Sequence, residues 1–188
     1  MKNFCTICNF QYICFVMIQY ESLRRNCGSP FTVWVLCLDR ESERFFRQAQ
    51  VPAVRPVLWD EIDDPRYHAK RSLYSDSPSV FAFLSKPVLL LYLLQEQNIR
   101  ALLYLDSDIL CFNAPDEVFA DLLKRNDICL TPHHFQGTYR ELETRVGKYN
   151  AGFIGVSCRG TDFLAWWRER CFQDCSYENT ASGRSFVD

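Results

Sequence analysis

One segment, residues 101–112 (ALLYLDSDILCF), constrains the fold of this chain more than any other. It begins with an apolar run, which is typical of a parallel strand that helices cover on both faces. Asp106 and Asp108 follow this run, and residues 109–112 are again mostly apolar. We therefore predict a buried strand that delivers two carboxylates to one site.

The spacing of the two aspartates indicates a metal-bound phosphate ester as the ligand. If the backbone is still extended there, Asp106 and Asp108 point to the same face, whereas Ser107 points to the opposite face. A divalent cation would remove the repulsion between the two anions, and Mg²⁺ is often held by one or two carboxylates together with phosphates and water. The alternative is a strand that ends in a polar turn, which Asp and Ser also favour. The apolar residues 109–112 argue against that alternative, because unpaired charges inside buried structure are costly.

The composition fits a single globular domain. The chain has 188 residues, and 48% of them are hydrophobic, which is enough for a substantial core. The formal net charge of -2 comes from interspersed charges of both signs, so we expect no nucleic-acid partner. Residues 4–20 are rich in apolar side chains but include polar ones and no cleavage site, which predicts neither a signal peptide nor a membrane span. Peripheral association with a membrane stays open.

The ten cysteines favour a reducing compartment. In a chain this apolar they predict small buried side chains and not a disulfide framework. Cys5 with Cys8 and Cys171 with Cys175 have the spacing of zinc ligands, but the first pair falls on a predicted strand and not on a glycine-rich knuckle. We therefore expect a cytoplasmic protein and keep a zinc site as a minor alternative.

Predicted strands alternate with predicted helices along the chain, which indicates a three-layer α/β/α fold with a mostly parallel central sheet. The prolines at positions 52 and 56 place the third strand near a sheet edge. The predicted strands are residues 3–7, 31–38, 53–58, 101–105, 127–131 and 153–157. The predicted helices are residues 10–26, 42–50, 79–97, 116–124, 141–148 and 161–171.

Two segments before the central strand carry more specific expectations. Residues 66–78 are polar and begin with basic side chains, so we expect a loop over the site. Pro87 lies inside the long apolar helix and should either break it or begin a second helix. Lys86 would then lie at a helix junction, where it is able to reach a phosphate beside a helix N-terminus.

Two pairs of side chains after the central strand are ambiguous in the sequence. His133 and His134 follow a predicted strand, where either an exposed loop or a ligand site fits, because ligands of open α/β sheets bind at the carboxyl ends of parallel strands. Trp166 and Trp167 lie on a predicted amphipathic helix, and we expect both in the core.

With these motifs in order, the chain resembles the GT-A type of nucleotide-sugar-dependent glycosyltransferase, particularly bacterial members akin to glycosyltransferase family eight. The resemblance covers nearly the whole chain. It rests on FCTICNFQYICFVMIQYESL, SKPVLLLYLL, LLYLDSDILCFNAP, LTPHH, YNAGFIGVS, FLAWWRERC and the final FVD. The order of the D-x-D, the asparagine-glycine strand and the double-tryptophan helix is more specific than the D-x-D alone. Relatives continue past the final motif, so we expect residues 1–188 to be one GT-A-like catalytic domain without its C-terminal part.

The resemblance implies metal-dependent transfer of a sugar from a nucleotide-diphosphate sugar to an unknown hydroxyl acceptor, such as a surface glycan. UDP-sugars are favoured as donors by analogy with the family. It implies that Asp106 and Asp108 bind Mn²⁺ or Mg²⁺, which would stabilise charge on the leaving diphosphate. Asp188 would match the aspartate of the family's D-Q motif on the sugar side, as a third catalytic residue. The implied nucleotide-sugar site also contains Cys5, Thr6, Ile7, Asp39, Lys86 and Ser107. Asn150, Ala151 and Gly152 would line the donor-sugar or the acceptor pocket.

Two alternatives stay open. The first is a truncated domain that binds a nucleotide sugar without turnover. The second is a phosphatase of the haloacid dehalogenase type, in which a D-x-D ends the first core strand and an acidic pair follows later. Here three predicted strands precede the D-x-D, and the acidic pair Asp63-Asp64 comes before it.

Overall fold

A mixed six-stranded sheet forms the centre of the computed structural model, which describes residues 1–143, 147–173 and 175. Its order is β3-β2-β1-β4-β6-β5, and β1 to β4 pair in parallel. Strand β6 runs antiparallel to both β4 and β5, so one strand departs from the predicted parallel arrangement. The third strand lies at an edge, as predicted. The strands are β1 (Lys2–Cys8), β2 (Phe31–Cys37), β3 (Val54–Leu58), β4 (Ala101–Leu105), β5 (Ile128–Pro132) and β6 (Tyr149–Ser157).

Helices cover both faces of the sheet, which confirms the predicted three-layer α/β/α architecture. One core cluster packs α1, α2 and α5 against the sheet, and a second packs α3, α4 and α6 against the opposite face. The helices are α1 (Ile13–Asn26), α2 (Arg40–Ala49), α3 (Pro65–Leu73), α4 (Pro78–Gln95), α5 (Asp116–Lys124) and α6 (Thr161–Gln173). Short 3-10 turns occupy Phe10–Tyr12, Trp59–Glu61 and Gly137–Leu142, and the last of these partly overlaps the predicted helix 141–148, whose residues 144–146 lie outside the described residues.

Helix α4 is continuous, so the expected break at Pro87 is wrong. An internal proline costs about 3 kcal/mol through the lost hydrogen bond and the clash with the preceding turn. The neighbours Leu84, Val88 and Leu91 are all buried, and burial of each such side chain contributes about 1.5–3 kcal/mol. Packing therefore outweighs the cost of the proline, and Lys86 lies inside a helix and not at a junction.

The same helix is the one described helix that is long and apolar enough to cross a membrane. Of its residues, 67% are buried inside the protein. This burial is typical of the core helix of an α/β domain.

The expected loop at residues 66–78 is also wrong, because helix α3 occupies most of it. Asp64 caps this helix by accepting the backbone N–H groups of Arg66 and Tyr67, at 2.9 and 3.2 Å. Pro65 stands at the first helical position, where its fixed φ favours helix formation. The buried Tyr67 hydroxyl lies 2.8 Å from Ser85 Oγ of α4, which ties the helix to the core.

The tryptophan pair on α6 divides between core and surface. Trp167 is half-buried and its ring meets the edge of Phe83 at 6.4 Å. Trp166 is 55% exposed, so its predicted place in the core is wrong. The two positions are neighbours in sequence, and a helix turns each residue by about 100° relative to the last, so both cannot face the sheet equally.

Candidate functional site

The two aspartates lie in a turn directly after β4. The Ile109 N–H donates to the Asp106 carbonyl at 3.0 Å, so the chain bends there, and the expected extended backbone is wrong. The Asp106 N–H donates to the Gly152 carbonyl at 2.8 Å, and Gln19 Nε2 of α1 donates to the Asp106 carbonyl at 2.6 Å. The turn is thus held by a strand on one side and a helix on the other. Residues beyond it reach the surface, with Phe112 79% exposed, so residues 109–112 do not resume buried structure.

The Asp106 carboxylate is fixed by two neighbouring side chains. The Tyr104 hydroxyl donates to Oδ1 at 2.6 Å, and Lys86 Nζ lies 3.1 Å from Oδ1 and 3.3 Å from Oδ2. Burial raises the pKa of Tyr104 well above its usual value, and the Asp106 charge adds to this effect. The phenol therefore stays protonated and serves as a donor. Because the Asp106 side chain remains 38% exposed, the carboxylate is still open to a ligand.

Lys86 brings a buried positive charge to this carboxylate. The residue is only 8% exposed, and its ammonium lies over the rings of Phe83 and Tyr104, at 5.2 and 5.3 Å from their centroids. It also donates to the Ala151 carbonyl at 3.2 Å. A buried lysine needs such partners to keep its charge. We call Lys86, Tyr104, Asp106 and Gly152 the Asp106 cluster.

Asp108 and Ser107 occupy opposite environments in the turn. Asp108 is exposed to solvent, whereas Ser107 is buried. The two carboxylates therefore differ, because Asp106 is anchored by protein groups while Asp108 meets water. This arrangement leaves Asp108 available to a cation from solvent.

The chemistry of these donors fits the implied metal. Carboxylate oxygens are hard ligands that suit Mg²⁺ and Mn²⁺. Among the residues that the structure describes, no group of three His, Cys, Asp or Glu side chains is placed to hold a metal ion. If the implied metal binds here, Asp106 and Asp108 are the residues that would hold it, with phosphate and water completing the shell, as is common for Mg²⁺.

The zinc alternative fits less well. Cys5 packs against the α4 side of the sheet and Cys8 against the α1 side, so the two thiols point to opposite faces. Burial also raises the pKa of both thiols, which disfavours the thiolate that zinc requires.

Strand β6 approaches the Asp106 carboxylate through its first residues. Asn150 Oδ1 accepts the Gly152 N–H at 2.6 Å. A Cβ atom at position 152 would lie 2.8 Å from Asn150 Oδ1 and 2.9 Å from Asp106 Oδ2. Glycine is therefore required here by the close approach of the carboxylate. The predicted residues Lys86, Asp106, Asn150, Ala151 and Gly152 are brought together by the structure.

We expect Gly152→Ala to lower the free energy of unfolding by about 1–3 kcal/mol, as overpacking typically does. The carboxylate of Asp106 cannot easily move, because Lys86 and Tyr104 both hold it. Urea denaturation would measure the change. Gly28→Ala is the matched control, because a Cβ there has no neighbour within 4 Å, and we expect a change below about 1 kcal/mol. Equal effects of the two substitutions would contradict the strained contact.

The carboxyl end of β1 contains the predicted nucleotide-binding residues in different settings. The side chains of Cys5 and Ile7 are buried in the core beside α4. Thr6 is fully buried, and its Oγ1 has no hydrogen-bond partner within the part of the chain that the structure describes. A contact of Cys5 or Ile7 with a ligand would have to use the backbone, because their side chains are covered. The role of all three stays a prediction.

Asp39 has a clear structural role at the end of β2. Its Oδ1 accepts the Ser42 N–H at 2.8 Å and caps α2, and its Oδ2 accepts the Phe10 N–H at 2.8 Å. The carboxylate thereby links the turn after β1 to the next helix. A direct contact with a nucleotide stays a prediction.

Other candidates lie in the loop after β5 or outside the described residues. The His133 ring stacks on Phe135 at 4.8 Å, and His134 is exposed in the loop after β5. Asp188 lies outside the described residues, so its predicted role stays a prediction. Sequence reasoning missed Tyr104 and Gln19. Tyr104 lies two positions before Asp106, and this spacing on a strand was the available signal.

Sequence comparisons give distant relatives. No protein-family model matches the chain. The uncharacterized protein YfnF of Bacillus subtilis (strain 168) is 24% identical over 182 residues, which cover 92% of this chain and 58% of YfnF. The uncharacterized protein YfnD of the same organism is 24% identical over 189 residues, covering 99% of this chain and 60% of YfnD. The chain spans about three-fifths of the length of these curated relatives.

Solved structures are similar in fold. The galactosyltransferase LgtC, solved in complex with donor and acceptor sugar analogs, has a TM-score of 0.57 and 14% identity, covering 93% of this chain and 66% of LgtC. Mouse xyloside xylosyltransferase 1 in its apo form has a TM-score of 0.57 and 13% identity, covering 90% of this chain and 71% of the mouse protein. With a mixed sheet flanked by helices on both faces, the chain therefore has the GT-A fold of nucleotide-sugar glycosyltransferases.

Proposed function

We propose that this chain carries the donor site of a metal-dependent glycosyltransferase. The enzyme would take a sugar from a nucleotide-diphosphate sugar, with UDP-sugars as the first choice, and transfer it to a hydroxyl acceptor such as a glycan. The Asp106 cluster at the end of β4, within a GT-A fold, is the observation that carries the proposal. LgtC, which shares this fold, was solved with donor and acceptor sugar analogs.

Each residue of the site has a task in this proposal. Asp106 and Asp108 would hold Mn²⁺ or Mg²⁺, which when bound supplies Lewis-acid stabilisation of charge on a diphosphate. Tyr104 orients Asp106 through its hydroxyl, and Lys86 offers a buried positive charge beside the same carboxylate. Because Lys86 is already desolvated, its attraction for a leaving diphosphate is stronger than that of a surface lysine.

The nucleotide would lie along the carboxyl end of β1. Thr6 Oγ1 and Asn9 Oδ1 lie in this region and have no hydrogen-bond partner among the described residues. A buried polar atom without a partner favours a ligand that supplies one. Ligands of open α/β sheets also bind at this edge of the strands. The proposed site therefore extends from the end of β1 to the end of β4, and these two strands are hydrogen-bonded neighbours.

Of the two alternative functions, the binding domain remains a candidate and the phosphatase is disfavoured. A domain that binds a nucleotide sugar without turnover remains a second candidate, because the chain spans only 58–60% of its curated relatives. A phosphatase of the haloacid dehalogenase type is disfavoured by the GT-A fold and by the place of the D-x-D after the fourth strand of the chain.

Calorimetric titration of UDP into the purified protein tests the proposal. We expect UDP to bind in the presence of Mn²⁺ and to bind at least about tenfold more weakly with EDTA, because in this proposal Asp106 and Asp108 would hold the cation that neutralises the diphosphate. Hydrolysis of a panel of UDP-sugars then separates the enzyme from the binding domain. Equal UDP binding with Mn²⁺ and with EDTA would contradict the metal-dependent donor site.

A further inference from the structure

An aromatic cleft opens next to the Asp106 cluster. It has a volume of about 350 Å³ and lies between α6, the first residues of β6 and the first half of α4. Its walls are made largely of aromatic side chains, with an amide at the rim. We define the aromatic cleft by Phe83, Tyr149, Asn150, Phe163, Trp166 and Trp167.

The cleft borders the proposed donor site. Ala151 contributes to its wall, and the Ala151 carbonyl accepts the Lys86 ammonium at 3.2 Å. The Phe83 ring faces Lys86 at 5.2 Å and also meets the edge of Trp167 at 6.4 Å. A single aromatic ring thus separates the cleft from the buried lysine. A molecule in the cleft would contact Asn150 and Ala151, the two residues before Gly152 on β6.

Two aromatic side chains of the cleft are partly exposed to solvent. Trp166 is 55% exposed and Tyr149 is 46% exposed, although large aromatic side chains are usually buried. Arg170 lies over the Trp166 ring at 5.8 Å, and Lys148 lies over the Tyr149 ring at 5.6 Å. The rim therefore carries two cations and the Asn150 amide around an apolar floor.

These features fit one face of a pyranose ring. The axial C–H groups of such a ring carry partial positive charge, which an aromatic face attracts through its negative quadrupole. The hydroxyl groups around the ring would meet the Asn150 amide, which donates and accepts hydrogen bonds, and the two cations at the rim, which only donate them. The volume lies near the lower end for ligand pockets, about 300–1,000 Å³, and suits one sugar ring. A long acyl chain would exceed this space and leave the polar rim unpaired.

We propose that the aromatic cleft binds a pyranose ring of the acceptor, stacked on Trp166. The assignment of this ring as the acceptor rests on the proposed function, whereas the saccharide site itself rests on the cleft. Binding there would place the acceptor on the Asn150 side of the Asp106 cluster, with the donor on the β1 side. Trp166 is then a specificity-determining residue, and its exposure follows from that role.

Saturation-transfer NMR with simple methyl pyranosides tests the cleft. The panel is methyl glucoside, galactoside, xyloside and glucuronide, each measured with and without UDP and Mn²⁺. We expect at least one of them to receive saturation at its ring C–H protons, and Trp166→Ala to weaken its binding about five- to tenfold. Phe15→Ala is the matched control, because Phe15 is an exposed aromatic residue of α1 on the opposite face of the sheet, and it should leave binding unchanged.

The outcomes separate the cleft from the proposed function. Pyranoside binding that depends on Trp166 without any binding of UDP would support the saccharide site and overturn the donor site. UDP binding with no pyranoside binding would overturn the cleft and leave the donor site standing. Pyranoside binding that is equal in the wild-type protein and in Trp166→Ala would also overturn the cleft. Circular dichroism of each variant confirms that the fold is retained.

Discussion

We expect Asp108→Asn to abolish the effect of Mn²⁺ on UDP affinity while the fold stays intact. Asp108 is exposed in the turn after β4, so the substitution removes a charge without disturbing the core. Loss of an outer-shell partner already costs a metal site about 10–100-fold in affinity, and loss of a ligand should cost more. Calorimetric titration of UDP with Mn²⁺ and with EDTA should therefore give the same affinity in this variant.

Asp121→Asn is the matched control for this experiment. Asp121 is an exposed carboxylate of α5, and it lies outside the turn that carries the two site aspartates. Its loss changes the net charge by the same amount, so it reports any general effect of charge on UDP binding. If the UDP affinity of Asp108→Asn depended on Mn²⁺ as strongly as that of the wild-type protein, Asp108 would not be a metal ligand.

The strands of the fold follow from the sequence because their residues are apolar on both faces. A short apolar run such as residues 101–105, limited in length by flanking turns, favours a buried strand over a helix. The direction of β6 does not follow in the same way. Its residues read as a buried strand in either direction, and only its pairing with β4 and β5 makes it antiparallel.

Two predictions, the helix break at Pro87 and the loop at residues 66–78, are wrong because tertiary packing outweighs local propensity. Proline would break an isolated helix at position 87. In α4, burial of the neighbouring side chains stabilises the helix enough for it to continue past Pro87. Residues 66–78 look polar, yet Tyr67 fills a core position and fixes α3. Local propensity is a weak prior, and burial against the sheet overrides it in both places.

The charged residues of the candidate site could be predicted from the sequence, but the contacts between them could not. The two aspartates and Lys86 are visible in the sequence as charges next to apolar runs. The turn at Asp106 depends on hydrogen bonds with Gln19 and Gly152. Gln19 lies 87 positions before Asp106, and Gly152 lies on a later strand. Such contacts between distant residues leave no periodic signal. The sequence therefore predicts which residues carry charge, and the fold determines which of them touch.

Lys86→Met is expected to weaken UDP binding about 10–100-fold, because it removes a hydrogen bond to a charged group worth about 1.5–3 kcal/mol. Methionine keeps an unbranched side chain between Phe83 and Tyr104 that is slightly shorter than that of lysine and has no charge. The Ala151 carbonyl also loses its donor, so we expect the free energy of unfolding to fall by about 1–2 kcal/mol. Asp106 keeps its bond from Tyr104 and remains partly hydrated, which limits this loss.

Two measurements separate a binding role from a structural role for Lys86. Lys70→Met is the matched control, because the Lys70 ammonium also lies over an aromatic ring, at 5.9 Å from the centroid of Tyr74, but on α3. Calorimetry gives the UDP affinity of the folded protein, and urea denaturation gives its stability. If Lys86→Met lowers stability while its UDP affinity equals that of Lys70→Met, the lysine serves only to hold Asp106 in place. If affinity falls in Lys86→Met alone, and falls equally with Mn²⁺ and with EDTA, its buried charge acts on the diphosphate directly, because EDTA removes the cation through which Asp106 would act.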